Sequence, residues 1–123
     1  MSKPITYKAA VSLKSITNQL GCDFYYDRKG EMHDNRTTKL DKPSLYGNFY
    51  SAPDWETVQS FLKDNYKIDV WVYPRQIKPY LTGWYKYIVA HETVVEYQAL
   101  CHSEDEGKEL ALQHANLLIN QLK

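Results

Sequence analysis

The sequence predicts an α+β fold: a three-stranded antiparallel sheet with a long C-terminal helix, a central helix, and an N-terminal helix plus a short hairpin. Three observations carry this prediction. Three short runs near the middle of the chain are rich in β-branched and aromatic residues. Residues that disfavour strands stand at both ends of each run. After the third run comes a strong signal for the start of a helix, followed by an apolar segment. The strands are predicted at 67–73, 84–90 and 93–102.

Side chains alternate across a strand, so each predicted strand has an inward and an outward set. The outward set includes Trp71, Tyr73, Trp84 and Lys86, which is more aromatic than a solvated sheet face usually is. The inward set is predicted to comprise Ile68, Val70, Val72, Tyr85, Tyr87, Val89, Val95, Tyr97, Ala99 and Cys101.

The C-terminal helix is predicted to begin after Ser103, whose side chain can accept a hydrogen bond from the Glu106 amide. Its apolar residues cover more of the circumference than one sheet can bury. We therefore expect a homo-oligomer, with the outward face of the sheet as the interface between copies. The main apolar stripe is Ala111, Ala115, Leu118 and Leu122, widened by Leu110, Leu112, Leu117 and Ile119.

The first half of the chain predicts a helix over 7–20, with Thr6 as N-cap. A hairpin follows at 24–33, with Gly30 at the turn position that requires a positive φ. The stretch 34–50 has no periodicity and is predicted as a loop. Helical spacing of apolar residues predicts the central helix over 53–66, and the prolines in 74–83 predict an exposed loop between two strands.

Length and charge limit the classes of protein to consider. The 123 residues fit a single α+β domain over 1–123, and 15 Lys and Arg balance 15 Asp and Glu. No global positive field is present, so neither a nucleic acid polymer nor a membrane is an expected partner. The start lacks a signal-peptide pattern, which favours a cytoplasmic protein with two free thiols, Cys22 and Cys101.

No constellation in the sequence predicts a catalytic residue, a metal site or a cofactor. His91 and Glu92 lack the second histidine of a zinc motif. Cys101 and His102 are neighbours on a predicted strand, so their side chains point to opposite faces and do not form a thiol–imidazole pair. The chain is therefore predicted not to be an enzyme.

The high aromatic content is the feature that most needs an explanation, since the chain has 11 Tyr, 3 Trp and 3 Phe interleaved with Arg and Lys. Rings beside cations suit stacking on a base together with pairing to a phosphate, and they suit protein interfaces equally well. The predicted ligand-binding residues are Trp71, Tyr73, Arg75, Lys78, Tyr80, Trp84 and Lys86.

A family resemblance covers nearly the whole chain. It is carried by 7–10 (YKAA), 20–22 (LGC), 24–26 (FYY) with the Gly30 turn, 51–55 (SAPDW), 61–63 (FLK) and 103–106 (SEDE). In these positions the chain resembles a family of small uncharacterised proteins encoded by phages and prophages of Bacteroidetes. The resemblance implies a phage accessory protein acting in the bacterial host cytosol, and it implies no activity or site residue.

From the resemblance and the aromatic and cationic residues together, we expect a non-enzymatic anti-defence protein. It would be a homo-oligomer that sequesters a nucleotide-like signalling molecule. The alternative is an inhibitor or adaptor that binds a host protein through its aromatic sheet face.

Overall fold

A computed structural model describes residues 3–17, 20, 22–35, 49–77 and 81–122. The chain divides into two compact units, Met1–Val58 and Gln59–Lys123, which are described one at a time. The expectation of a single domain stays a prediction.

The first unit begins with two short helices, α1 (Tyr7–Ser12) and α2 (Lys14–Thr17). Thr6 caps α1 as predicted, its Oγ1 accepting from the Ala9 amide at 3.3 Å. The prediction of one continuous helix over 7–20 is wrong, because Leu13 ends α1 with a non-helical backbone. Leu13 is fully buried, so the break keeps an apolar side chain in the core of the unit.

The first sheet has strand order β2–β1–β3, made from β1 (Phe24–Tyr26), β2 (Met32–Asp34) and β3 (Tyr50–Ser51). The β1–β2 hairpin is as predicted, and Gly30 in its turn has φ +83°. The added strand β3 pairs antiparallel with β1 and shows that the predicted loop 34–50 is strand at both ends. Residues 36–48, in the interior of that predicted loop, lie outside the described residues.

Helix α3 spans Trp55–Tyr66. Asp54 caps it, because its Oδ1 accepts from the Thr57 amide at 2.8 Å. The helix therefore starts two residues later than predicted. Lys67 ends it with φ 56°, in the left-handed conformation typical of a helix C-terminus.

The second sheet consists of β4 (Ile68–Ile77), β5 (Leu81–His91) and β6 (Val94–Cys101), in the order β4–β5–β6. All pairs are antiparallel. The predicted exposed loop over 74–83 is wrong over most of its length, since Pro74 and Arg75 continue β4 and pair with β5. Proline is tolerated there because β4 is an edge strand, whose outer side has no strand partner among the described residues.

Two of the predicted inward residues on β6 are exposed. A bulge between Val89 and Ala90 shifts the register, so that Val95 pairs with Ala90 and is 47% exposed. Ala99 keeps its predicted face but is exposed to solvent. On the other two strands, Val70 and Val89 are fully buried as predicted.

Helix α4 (Glu104–Leu122) packs on one face of this sheet, against all three strands. Ser103 caps it as predicted, with Oγ accepting from the Glu106 amide at 3.1 Å. Most of the predicted stripe is buried, but Leu122, the last residue of the helix, is 47% exposed. None of the helices in the described ranges is long and apolar enough to cross a membrane. Two three-stranded antiparallel sheets with helices confirm the α+β class.

Candidate functional site

Five of the predicted site residues share one face of the second sheet, opposite α4. Trp71, Tyr73 and Arg75 lie on β4, and Trp84 and Lys86 lie on β5. We call this the outer sheet face; Ile88, Gln98 and Leu100 also lie on it. The other two predicted residues, Lys78 and Tyr80, lie outside the described residues.

Strand register arranges the outer sheet face in rows. Arg75 is directly opposite Trp84, and Tyr73 is directly opposite Lys86. Directly opposed residues have Cβ atoms about 4.5–5.5 Å apart, which is within reach of these long side chains. Each of the two rows therefore places one cation next to one aromatic ring.

The third row, formed by Trp71, Ile88 and Gln98, carries an aromatic, an aliphatic and an amide side chain. Trp71 is 45% exposed and Leu100, in the neighbouring row, is 42% exposed. An indole with that exposure has a ring surface open to solvent and to a ligand. The outer sheet face therefore runs from an apolar row to a cationic row.

The outer sheet face carries two cations, Arg75 and Lys86. Within the part of the chain that the structure describes, neither Arg75 nor Lys86 takes part in an ion pair. Arg75 is exposed and Lys86 is half-buried. A half-buried ammonium gains more from an anionic partner than a fully solvated one does, because less water screens the interaction.

His102 belongs to the outer sheet face but was not among the predicted site residues. Its ring contacts Trp84 in a tilted arrangement, with centroids 4.3 Å apart and an interplanar angle of 43°. The next residue back, Cys101, pairs with Tyr85, so His102 falls beside Trp84. That neighbourhood depends on the register between two strands, which the sequence does not specify.

The helix side of the same sheet holds a second ring cluster. The Tyr87 hydroxyl lies 3.0 Å from His114 Nδ1, and the Tyr97 ring stacks on His114 at 4.6 Å. Burial raises the pKa of Tyr87, and the nearby Cys101 adds to the shift. The cluster ties α4 to β5 and β6.

Cys101 is buried, and its thiol forms hydrogen bonds to backbone carbonyl groups. Its Sγ donates to the carbonyl oxygens of Tyr85 and Ser103, both at 3.5 Å. Burial raises the pKa of this thiol, with a further contribution from the Glu106 carboxylate. A buried protonated thiol is a poor nucleophile, and His102 lies on the opposite face of the sheet, beside Trp84.

In the first unit, Asp27, Glu31 and His33 bring ligand atoms within 4.8 Å of one another at the β1–β2 turn. The turn itself explains the Asp27 carboxylate, which accepts from the amides of Lys29 and Glu31 and lies 2.9 Å from His33 Nε2. The His33 hydrogen bond, followed by these amides, lowers the pKa of Asp27. The cluster serves to close the hairpin.

The fold and this geometry define a class: an α+β protein with a helix on one face of a sheet and an open aromatic and cationic surface on the other. Comparison with protein-family models, with curated proteins and with solved structures found no match. The resemblance to phage-encoded proteins stays a prediction.

Proposed function

We propose that this chain is a non-enzymatic binding protein that holds a nucleotide-like molecule on its outer sheet face. The observation that carries the proposal is Trp71, 45% exposed in the row next to Tyr73 and Lys86. Stacking of a base on an aromatic side chain contributes about 1–3 kcal/mol, and an ammonium or guanidinium pairs with phosphate.

The spacing of the rows supports this ligand class. Successive rows on one face of a strand are about 6.8 Å apart, so Trp71 and Arg75 are separated by about 14 Å along β4. A base stacked on Trp71 would leave its sugar over the Tyr73 row and its phosphates near Lys86 and Arg75. The proposed orientation follows from an apolar row at one end and cations at the other.

The biological setting proposed for this binding is that of a phage accessory protein. It would counter host defence in the bacterial cytosol by sequestering a signalling nucleotide. The family resemblance is the support for that setting. Sequestration needs affinity and no catalytic group, which agrees with a surface made of rings and cations.

Isothermal titration with cyclic and ADP-ribose-type nucleotides tests the proposal, with tryptophan fluorescence as a second readout. We expect heat of binding and quenching, and we expect Trp71→Ala or Lys86→Ala to weaken the affinity about tenfold or more. Lys63→Ala is the matched control, because Lys63 is an exposed lysine on α3. Absence of heat with every nucleotide would count against the proposal.

A second function is favoured by a different observation. Val94 and Val95 are 60% and 47% exposed next to the outer sheet face, and Leu100 on that face is 42% exposed. Exposed apolar surface of this kind is typical of protein contacts. The alternative is therefore an inhibitor or adaptor that binds a host protein.

A pull-down from host lysate separates the two functions. A stoichiometric protein partner that is lost in Leu100→Lys favours the adaptor, whereas a small molecule released by heating the purified chain favours sequestration.

A further inference from the structure

The outermost strand of the second sheet, β6, has an open edge. It pairs with β5 and with no other strand in the described ranges. Every residue from Val94 to Leu100 is exposed except Tyr97, which is half-buried. An unpaired edge presents a row of backbone N–H and C=O groups on which another strand can form hydrogen bonds.

The opposite edge of the sheet is protected. The Gln59 side chain of helix α3 donates from Nε2 to the carbonyl oxygen of Val70 on β4, at 2.7 Å. One backbone acceptor of that edge is therefore already hydrogen-bonded. Pro74 lies within the same strand and removes a donor. Side-chain cover and proline are two devices by which proteins prevent edge-to-edge pairing.

The β6 edge has less protection. The strand contains neither proline nor lysine, and Glu96 is its one charged residue. The bulge near Glu96 is confined to one end, which leaves the pairing from Tyr97 to Cys101 regular. The two edges of the sheet therefore differ: the β4 edge is protected against pairing with another strand, and the β6 edge can accept one.

Helix α4 leaves β6 partly uncovered. A helix is about 10 Å wide and strands are about 4.8 Å apart, so one helix covers about two strands. Ala99 lies on the helix side of β6 and is nevertheless exposed. On α4, His114 and Gln121 both reach Tyr97, and Leu117, which shares their stripe, is 50% exposed. Apolar surface thus borders the open edge.

We propose that a second copy of this chain occupies the β6 edge, with two β6 strands pairing antiparallel about a twofold axis to form a six-stranded sheet. A twofold axis perpendicular to β6 places the β6 strands of the two copies side by side in antiparallel orientation. The net charge of zero means that two copies do not repel each other as wholes. The outer sheet faces become continuous and stay open, so this dimer differs from the face-to-face contact expected from the sequence. It is also independent of the ligand proposed above.

The size of the edge predicts a weak dimer. Eight residues span about 26 Å, and the sheet with its helix is about 20 Å deep. The two copies together would bury roughly 1,000 Å², the lower limit for a specific interface. We therefore expect dissociation in the micromolar range, and a mass that depends on concentration.

Sedimentation velocity from low to high micromolar concentration tests the proposal, using Val95→Lys against Val11→Lys. Both valines are exposed, Val95 at 47% on β6 and Val11 at 39% on α1. We expect the wild type and Val11→Lys to rise from 14.4 kDa towards twice that mass. Val95→Lys should weaken dimerisation at least about tenfold, because lysine blocks edge pairing. Circular dichroism checks that both variants fold.

Three results would overturn the proposal: a wild-type mass of one chain at every concentration, equal behaviour of the two lysine variants, or a dimer lost in Trp71→Ala and kept in Val95→Lys. The last result would place the contact on the outer sheet face. Hydrogen exchange gives an independent check. Amides of β6 should exchange more slowly at high concentration, whereas slow exchange with the mass of one chain would indicate a bound extended peptide instead of a second copy.

Discussion

Gly107 lies where α4 packs tightly against the sheet. A Cβ at this position would be 2.8 Å from Val72 Cγ1 and 2.9 Å from Cys101 Sγ. Both neighbours are short side chains with little freedom to move, since Val72 is β-branched and Cys101 is 1% exposed. Glycine is a poor helix former, so its presence inside α4 is explained by this close approach.

We expect Gly107→Ala to lower the free energy of unfolding by about 1–2 kcal/mol, because overpacking outweighs the gain in helix propensity. In a Val72→Ala background the cost should fall, since the closest atom is removed. Urea unfolding of the two single variants and the double variant measures both effects. Equal costs in the two backgrounds would contradict the packing explanation.

At the scale of an element, the β5–β6 turn combines two unusual residues. Glu92 and Thr93 have φ of 49° and 73°. Two-residue turns of this type fit the twist of a hairpin, but they favour Asn and Gly over Glu and a β-branched Thr. The Glu92 amide donates to the Lys67 carbonyl oxygen at 3.0 Å, which helps to hold the turn in place.

Thr93→Gly should raise the free energy of unfolding by about 1 kcal/mol, because glycine adopts a positive φ without strain. Thr93→Ala is the matched control: it removes the same branched side chain but keeps Cβ, so it should gain much less. Thermal unfolding followed by circular dichroism compares the variants. A gain of the same size in both would show that the left-handed backbone is not the cause.

The elements also show where sequence reasoning was limited. The caps Thr6 and Ser103 and the turn at Gly30 were predicted correctly because each depends on a few neighbouring residues. The continuation of β4 through Pro74 was missed, because proline is excluded only where the strand has a neighbour on that side. Whether β4 is an edge strand depends on the sheet, not on the local sequence.

For the whole molecule, buried ionisable groups predict how stability changes with pH. Burial raises the pKa of Cys22 and Cys101 above the ordinary value of 9.0, and it raises the pKa of Tyr26 and Tyr87 above 10.0. Well below pH 9 these groups are protonated in both folded and unfolded chains. At higher pH the unfolded chain releases their protons first.

The free energy of unfolding should therefore decrease as pH rises from about 9 through the folded-state pKa values. Urea unfolding at a series of alkaline pH values measures the slope. Cys101→Ala should make the slope shallower, even if its stability at neutral pH is lower. Val11→Ala serves as a control that should keep the wild-type slope, because it changes an exposed side chain that does not ionise. A slope unchanged by Cys101→Ala would show that this thiol does not contribute.

The candidate site was only partly accessible to sequence reasoning. Alternation along each strand placed Trp71, Tyr73, Trp84 and Lys86 on one face, which the structure reproduces. His102 was missed, since its contact with Trp84 arises from pairing between β5 and β6.

The sequence by itself determined the class of fold, the caps and turns, and the alternation that gathers rings and cations on one side of the sheet, because each of these depends on residues close together in the chain. Only the tertiary structure decided the register, and with it the bulge that exposes Val95. It also decided that α4 leaves Ala99 uncovered and that the β4 edge is closed by Gln59 while the β6 edge is open. These features depend on contacts between distant segments, whose geometry follows from how the helices and strands pack together.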